Sequence, residues 1–132
     1  MPPWTSEFQH TGISVADLDR AITWYRDMFG FVETKRFRKE ELEISGVVLQ
    51  LGASTLEVLA PFSPGPPPPP AATLIEQLRR TGVNHIAISV SDLPACHARP
   101  RESGASLLSP VVDGRFFFCT DLDGTVLEVR SR

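Results

Sequence analysis

Only two of the 132 residues are cysteine, Cys96 and Cys119. Two are too few for a disulfide framework and lack the close spacing of a zinc knuckle, so both read as reduced, small apolar residues. Nowhere do eighteen apolar residues follow one another, and the start MPPWTSEFQH has no basic flank leading into an apolar stretch. Neither a membrane span nor a signal peptide is indicated, and a cytoplasmic address is the default expectation. Positive charge is also scarce, with 13 Lys and Arg against 16 Asp and Glu for a net charge of −3. The basic residues are scattered apart from Lys35, Arg36, Arg38 and Lys39, so the concentrated basic face that nucleic acid requires is missing. That KRFRK cluster reads as a solvated strand edge or as a grip on a carboxylate, phosphate or coenzyme A tail of a substrate.

What the chain does have is a duplication. HTGISVADL beginning at His10 returns as HIAISVSDL beginning at His85, 75 positions later (85 − 10), and each half closes on an acidic strand, LEVL with Glu57 and LEVR with Glu128. Each unit therefore opens on an imidazole and ends on a carboxylate. Together they supply two His and two Glu, the inventory of a divalent metal site.

The periodicity predicts a strand over 8–15, with His10, Gly12 and Ser14 on one face and Ile13 and Val15 on the other. An amphipathic helix follows, with Asp17 as N-cap, Leu18, Ala21, Ile22, Tyr25 and Phe29 inward, and Gly30 as stop. Residues 31–38, 43–51 and 55–60 read as three strands, which makes the first half, 8–60, a βαβββ unit. Residues 61–82 form a proline-rich linker, extended and unable to join a sheet, plus a short helix over 73–81 with Leu74, Ile75 and Leu78 inward. The second unit, 83–132, repeats the pattern: a strand over 83–90, a helix from Asp92, and strands over 105–111, 115–120 and 126–130. Pro100 falls inside its helix at a cost of about 3 kcal/mol, so that helix is expected to kink or to end by Arg99. The whole chain, 1–132, reads as one α+β domain of two βαβββ modules.

Alternation puts Glu57 and Glu128 each at the centre of an otherwise apolar strand, where a carboxylate is costly to bury without a partner. A lone histidine or a lone acid on a half-exposed strand is ordinarily structural, and His97 reads that way. Corresponding His and Glu in two repeats point instead to a shared site. Of Phe116, Phe117 and Phe118, alternation sends at least one to the core.

These stretches, HTGISVADLDRAITWYRDMFGF, LGASTLEVLAP, GVNHIAISVSDL and FFFCTDLDGTVLEV, resemble the vicinal oxygen chelate superfamily, which includes glyoxalase I, methylmalonyl-CoA epimerase, extradiol dioxygenases and fosfomycin or bleomycin resistance proteins. The resemblance covers nearly the whole chain. It implies paired βαβββ modules in a curved mixed sheet around a divalent ion (nickel, cobalt, zinc, manganese or iron) at His10, Glu57, His85 and Glu128. It also implies a small-molecule substrate and a homodimer, with the site within one chain or between two. Four filled positions resemble glyoxalase I and the epimerase; the phrase LGASTLEVLAPFSP is closer to the epimerase, which commonly has an amide-bearing residue where Glu57 stands.

The activity implied is removal of a proton next to a carbonyl in a small acyl-thioester, coenzyme A derivatives among them, or α-oxo compound, by an isomerase, epimerase or lyase. In a glyoxalase-like mechanism Glu128 is the first choice as base, with Glu57 across the site. An epimerase-like mechanism adds a glutamate on the third strand, Glu43 or Glu41, opposite Glu128, since two bases flanking a planar enolate permit inversion. A ring-cleaving dioxygenase, which would use only His10, His85 and Glu128, and a drug-binding resistance protein are the alternatives.

Overall fold

The computed structural model describes residues 1–132. The first half folds as β1 (Thr11–Ser14), α1 (Leu18–Phe29), β2 (Val32–Lys39), a single 3₁₀ turn (Glu40–Leu42), β3 (Ile44–Leu51) and β4 (Ser54–Pro61). It forms a four-stranded sheet of order β1-β4-β3-β2, with β1 parallel to β4 and the remaining pairs antiparallel. The expected βαβββ unit is present. Helix α1 starts where Asp17 accepts a hydrogen bond from the Arg20 N–H and stops at Gly30, whose φ of 83° only glycine adopts readily. Its buried face is Ala21, Ile22, Trp24 and Tyr25.

The second half contains α2 (Leu74–Arg79), β5 (Ile86–Val90), α3 (Leu93–Glu102), β6 (Phe116–Thr120) and β7 (Val126–Ser131), with sheet order β5-β7-β6. β5 is parallel to β7, as β1 is to β4. The two sheets share no strand-to-strand hydrogen bonding.

Three expectations are corrected in this half. No regular strand forms over 105–111; only isolated bridges, Leu107 to Cys119 and Val112 to Phe116, remain. Pro110 has no N–H to donate, and the Leu108 and Ser109 N–H groups both turn onto the Phe118 carbonyl, so a regular ladder cannot propagate. Of the two outcomes expected for helix α3, a kink or an end by Arg99, the early end is excluded, since the helix runs through Pro100 to Glu102. The proline sits in the last turn, where its ring is buried and its carbonyl accepts from the Ser103 and Ala105 N–H groups. In α2 the inward residue is Gln77, 4% exposed, while Ile75 and Leu78 face solvent. The Gln77 amide donates to the Asn84 carbonyl and the Asn84 amide donates back to the Gln77 carbonyl, a polar lock that ties the helix to the start of β5, while Gln77 Oε1 is buried without a partner.

One cluster of 19 buried residues draws on both halves, from Ile13, Tyr25, Val47 and Val58 to Phe117, Leu127 and Val129. The alternate residues of the same strands, Gly12, Val48 and Glu57 in one sheet, Ala87, Phe118 and Glu128 in the other, lie on the opposite face. No helix is long and apolar enough to cross a membrane.

Candidate metal centre

Parallel pairing of the first and last strands of each module brings the histidine to its own module's glutamate. Glu57 lies opposite Gly12, two residues after His10; Glu128 lies opposite Ala87, two residues after His85. His10 Nε2 is 3.8 Å from Glu57 Oε2, and His85 Nε2 is 3.9 Å from Glu128 Oε2. The duplication in sequence is thus a duplication in space.

Each imidazole is oriented by the residue before it. His85 Nδ1 lies 2.9 Å from Asn84 Oδ1, and because Asn84 Nδ2 donates to the Gln77 and Arg80 carbonyls, the oxygen must be the atom facing the ring. His85 therefore carries its proton on Nδ1 and presents the Nε2 lone pair to Glu128. His10 Nδ1 lies against Gln9 Oε1. Positions 9 and 84 are also 75 apart, so the repeat begins one residue earlier than the histidine, with an amide side chain. Outer-shell acceptors of this kind fix the tautomer of metal-binding histidines.

The modules differ around the carboxylates. Glu128 is the more enclosed, with its Oε1 accepting from Arg130 Nη1 at 3.0 Å, and Arg130 itself rests on the Phe116 ring. Phe118 packs edge-on to His85 at 5.0 Å, whereas Phe117 lies on the core side against His97. Glu57 has no partner other than His10, and its neighbours across the sheet are Gly12 and Val48. Sequence reasoning did not single out Gln9, Asn84, Arg130 or Gln77 for this site.

A separation of 3.8–3.9 Å is shorter than two metal–donor bonds of about 2.0–2.2 Å laid end to end. One ion can therefore touch both members of a pair. Within the single chain, however, no group of three or more His, Cys, Asp or Glu side chains lies close enough to hold a metal ion, so the structure presents two half-sites and not one four-ligand cluster. Glu43 stands apart from both. It is exposed in a left-handed corner between the 3₁₀ turn and β3, with φ 53°, five residues from Val48, the residue paired with Glu57. That is about 17 Å along the strand. Glu41 is exposed in the 3₁₀ turn.

A cavity of about 310 Å³ adjoins His85 and is lined by Thr11, Gly12, Gln77, Asn84 and Thr125, bridging the first strand of one module and the second module. A larger one, about 610 Å³, lies between α1 and α3 and touches none of the four candidate ligands.

A family model for the Glyoxalase/Bleomycin resistance protein/Dioxygenase superfamily matches residues 9–120, and the chain belongs to that superfamily. It is 28% identical over 99 residues to the ethylmalonyl-CoA/methylmalonyl-CoA epimerase of Cereibacter sphaeroides, a match covering 75% of this chain and 72% of that one. The trypanothione-dependent glyoxalase I of Leishmania major superposes with a TM-score of 0.78 at 23% identity, covering 96% of this chain and 87% of that one. The fosfomycin resistance protein FosX of Listeria monocytogenes, solved with Mn(II) and sulfate, superposes with a TM-score of 0.70 at 16% identity over 98% and 94% of the two chains. The mixed α+β fold is that of these structures.

Proposed function

We propose that this chain is a divalent-metal-dependent enzyme that removes a proton next to a carbonyl of a small acyl-thioester or α-oxo compound, as an epimerase, isomerase or lyase. The observation that carries the reading is the His–Glu pair made twice, each with Nε2 turned to a carboxylate oxygen and Nδ1 capped by an amide. The relative named as an ethylmalonyl-CoA/methylmalonyl-CoA epimerase favours a coenzyme A thioester as substrate.

In this reading His10, Glu57, His85 and Glu128 hold the ion, and nickel, cobalt, zinc, manganese and iron all accept such a nitrogen and oxygen set. Once bound, it supplies Lewis acidity toward a carbonyl or enolate oxygen. Joining the two half-sites requires either closure of the two modules of one chain or pairing of two chains, and a homodimer belongs to the proposal.

The two carboxylates have unequal roles. Arg130 donates to Glu128 Oε1, which suits a fixed ligand; no arginine or lysine engages Glu57, which is the better proton acceptor. In this reading Glu57 is the base, where the sequence alone put Glu128 first. Inversion would use both carboxylates from opposite modules, without Glu43.

Elemental analysis of the purified protein, followed by deuterium exchange at the α-carbon of methylmalonyl-CoA and of hemithioacetals, tests the reading. Bound metal with exchange supports it, and Glu57→Gln should keep the metal while losing exchange. A protein that takes up no divalent ion, or exchange that survives Glu57→Gln and Glu128→Gln alike, overturns it. Oxygen consumption with a catechol that only ferrous ion restores would move the chain to the ring-cleaving branch.

A further inference from the structure

The KRFRK cluster on β2 is one run of charge in sequence and two different surfaces in the fold. Past the irregularity between Glu33 and Lys35, β2 pairs Arg36 with Val47 and Arg38 with Ser45, whereas Lys35, Phe37 and Lys39 pair with Val48, Gly46 and Ile44. Val47 is fully buried on the core side and Val48 is the neighbour of Glu57, so alternation sends the arginines to the helix side and the lysines with Phe37 to the Glu57 side.

The charges on the two sides are treated differently. Arg36 is neutralised by Glu33 and by Asp19 of α1, and Arg38 by Glu40 while it stacks on Phe62. Lys35 and Lys39 are exposed and have no carboxylate within 4 Å, although the chain carries 16 acidic residues. A solvated edge that merely resists strand pairing gives no reason for this split.

Between the lysines the surface is flat and aromatic. The Phe37 ring lies directly over Gly46: a methyl group added there would meet three of its ring carbons at 2.3, 2.6 and 2.9 Å. The glycine lets the half-exposed ring lie down on β3, and Lys39 Nζ stands over it, 5.9 Å from the ring centre. The sequence Lys35-Phe37-Lys39 thus presents an aromatic platform with a lysine two residues away in each direction, about 7 Å along the backbone, the Lys39 ammonium reaching back over the ring.

We propose that this platform binds the phosphorylated nucleotide arm of a coenzyme A thioester, with the adenine on Phe37 and phosphate groups on Lys35 and Lys39. Adenosine 3′,5′-bisphosphate joins a planar base, which stacks on an aromatic ring, to two phosphates carried on one ribose, which pair with ammonium groups beside that ring. From β2 to Glu57 on β4 is two strands, about 10 Å, which the flexible arm joining nucleotide to thioester crosses. The inference rests on the thioester reading above and extends it to a binding surface.

Calorimetric titration with coenzyme A, adenosine 3′,5′-bisphosphate, adenosine and inorganic phosphate tests the platform without turnover. Expected are binding of the first two, with adenosine and phosphate alone at least about tenfold weaker, and a loss of about tenfold for each of Lys35→Gln and Lys39→Gln. Gly46→Ala, which lifts the Phe37 ring, should weaken coenzyme A binding, and Arg38→Gln should leave it unchanged. Thermal unfolding of each variant confirms the fold; both lysines are exposed, so their variants remain testable if Gly46→Ala does not fold. Equal affinity for coenzyme A in wild type and the double lysine variant, phosphate binding as tight as the bisphosphate, or no coenzyme A binding at all overturns the inference. The outcomes separate from those of the thioester reading: α-proton exchange with unchanged KM in the lysine variants defeats the platform alone, whereas platform binding without α-exchange defeats the proposed reaction alone.

Discussion

Tyr25 in α1 donates a 2.7 Å hydrogen bond to Asp121 Oδ2, joining the first module to the turn between β6 and β7 across 96 positions of sequence. Asp121 Oδ1 accepts from the Asp123 and Thr125 N–H groups, and Asp123 Oδ1 in turn accepts from the Ala16 N–H at 2.9 Å. Both tyrosine and aspartate are buried. The turn DLDG is therefore an inter-module fastener in addition to a chain reversal.

Tyr25→Phe should remove the one partner of Asp121 Oδ2 and cost about 1–3 kcal/mol, the penalty for an unsatisfied buried acceptor. A fall of several degrees in Tm is the expected readout. An unchanged Tm would show that this bond adds nothing to the fastening of the modules.

Burial, the largest influence, raises the Asp121 carboxyl above its ordinary value, although the hydrogen bonds from Tyr25 and the turn oppose the shift. The native state then binds this proton more tightly than the unfolded chain, so the stability linked to it is full at low pH and declines as pH rises through the folded value. Relative to Asp121→Asn, wild type should gain stability as the pH falls from the raised folded value toward about 3.9, where a free aspartate ionises, and gain no more below it. Parallel Tm profiles against pH for the two proteins would contradict this.

Tyr25 is the chain's single tyrosine, so its ionisation can be watched alone. Burial and the Asp121 charge push its phenol well above the ordinary value. Its stabilising contribution is complete below about pH 10 and is lost above it, where the unfolded chain releases the proton and the native state does not. Absorbance of tyrosinate should appear only with cooperative alkaline unfolding; a reversible rise near pH 10 in folded protein would be the contrary result.

Cys119 is fully buried and its thiol is pushed up to about 12 by burial, with Cys96 and Asp121 adding to the shift. Cys96 is raised by burial as well. Labelling of both thiols at neutral pH should follow the rate of unfolding and leave native protein untouched. Rapid labelling of folded protein would mean that the β6–α3 region opens locally.

Removing the amide behind an imidazole should free its tautomer and rotamer. Asn84→Ala and Gln9→Ala are each expected to weaken divalent-ion binding about 10–100-fold. The Asn84 change should also lower Tm, because that side chain holds α2 through the Gln77 and Arg80 carbonyls. Equal metal affinity in all three proteins would remove the two amides from the site.

The 75-residue repeat could be read directly, and with it α1, the four strands of the first module and the residues His10, Glu57, His85 and Glu128, because strand alternation and helix periodicity are local properties. The amides at 9 and 84 belonged to the same repeat and were legible in principle. The fate of Pro100 was not, since a buried ring and a carbonyl accepting from Ser103 and Ala105 are tertiary compensations for a local cost. Nor was the loss of a strand at 105–111, which depends on how Leu108 and Ser109 meet Phe118.

By itself the sequence determined what each module brings to the site: one repeated imidazole, one repeated carboxylate and the strands that present them, all set by spacing of two residues along a strand. Only the tertiary structure decided the company those groups keep. Parallel pairing of strands far apart in the chain puts His10 beside Glu57 and His85 beside Glu128, Arg130 takes the free oxygen of one carboxylate and leaves the other open, and β2 sorts four neighbouring cations onto two faces. Pairing register and side-chain reach across strands are non-local, and no window of the sequence contains both partners.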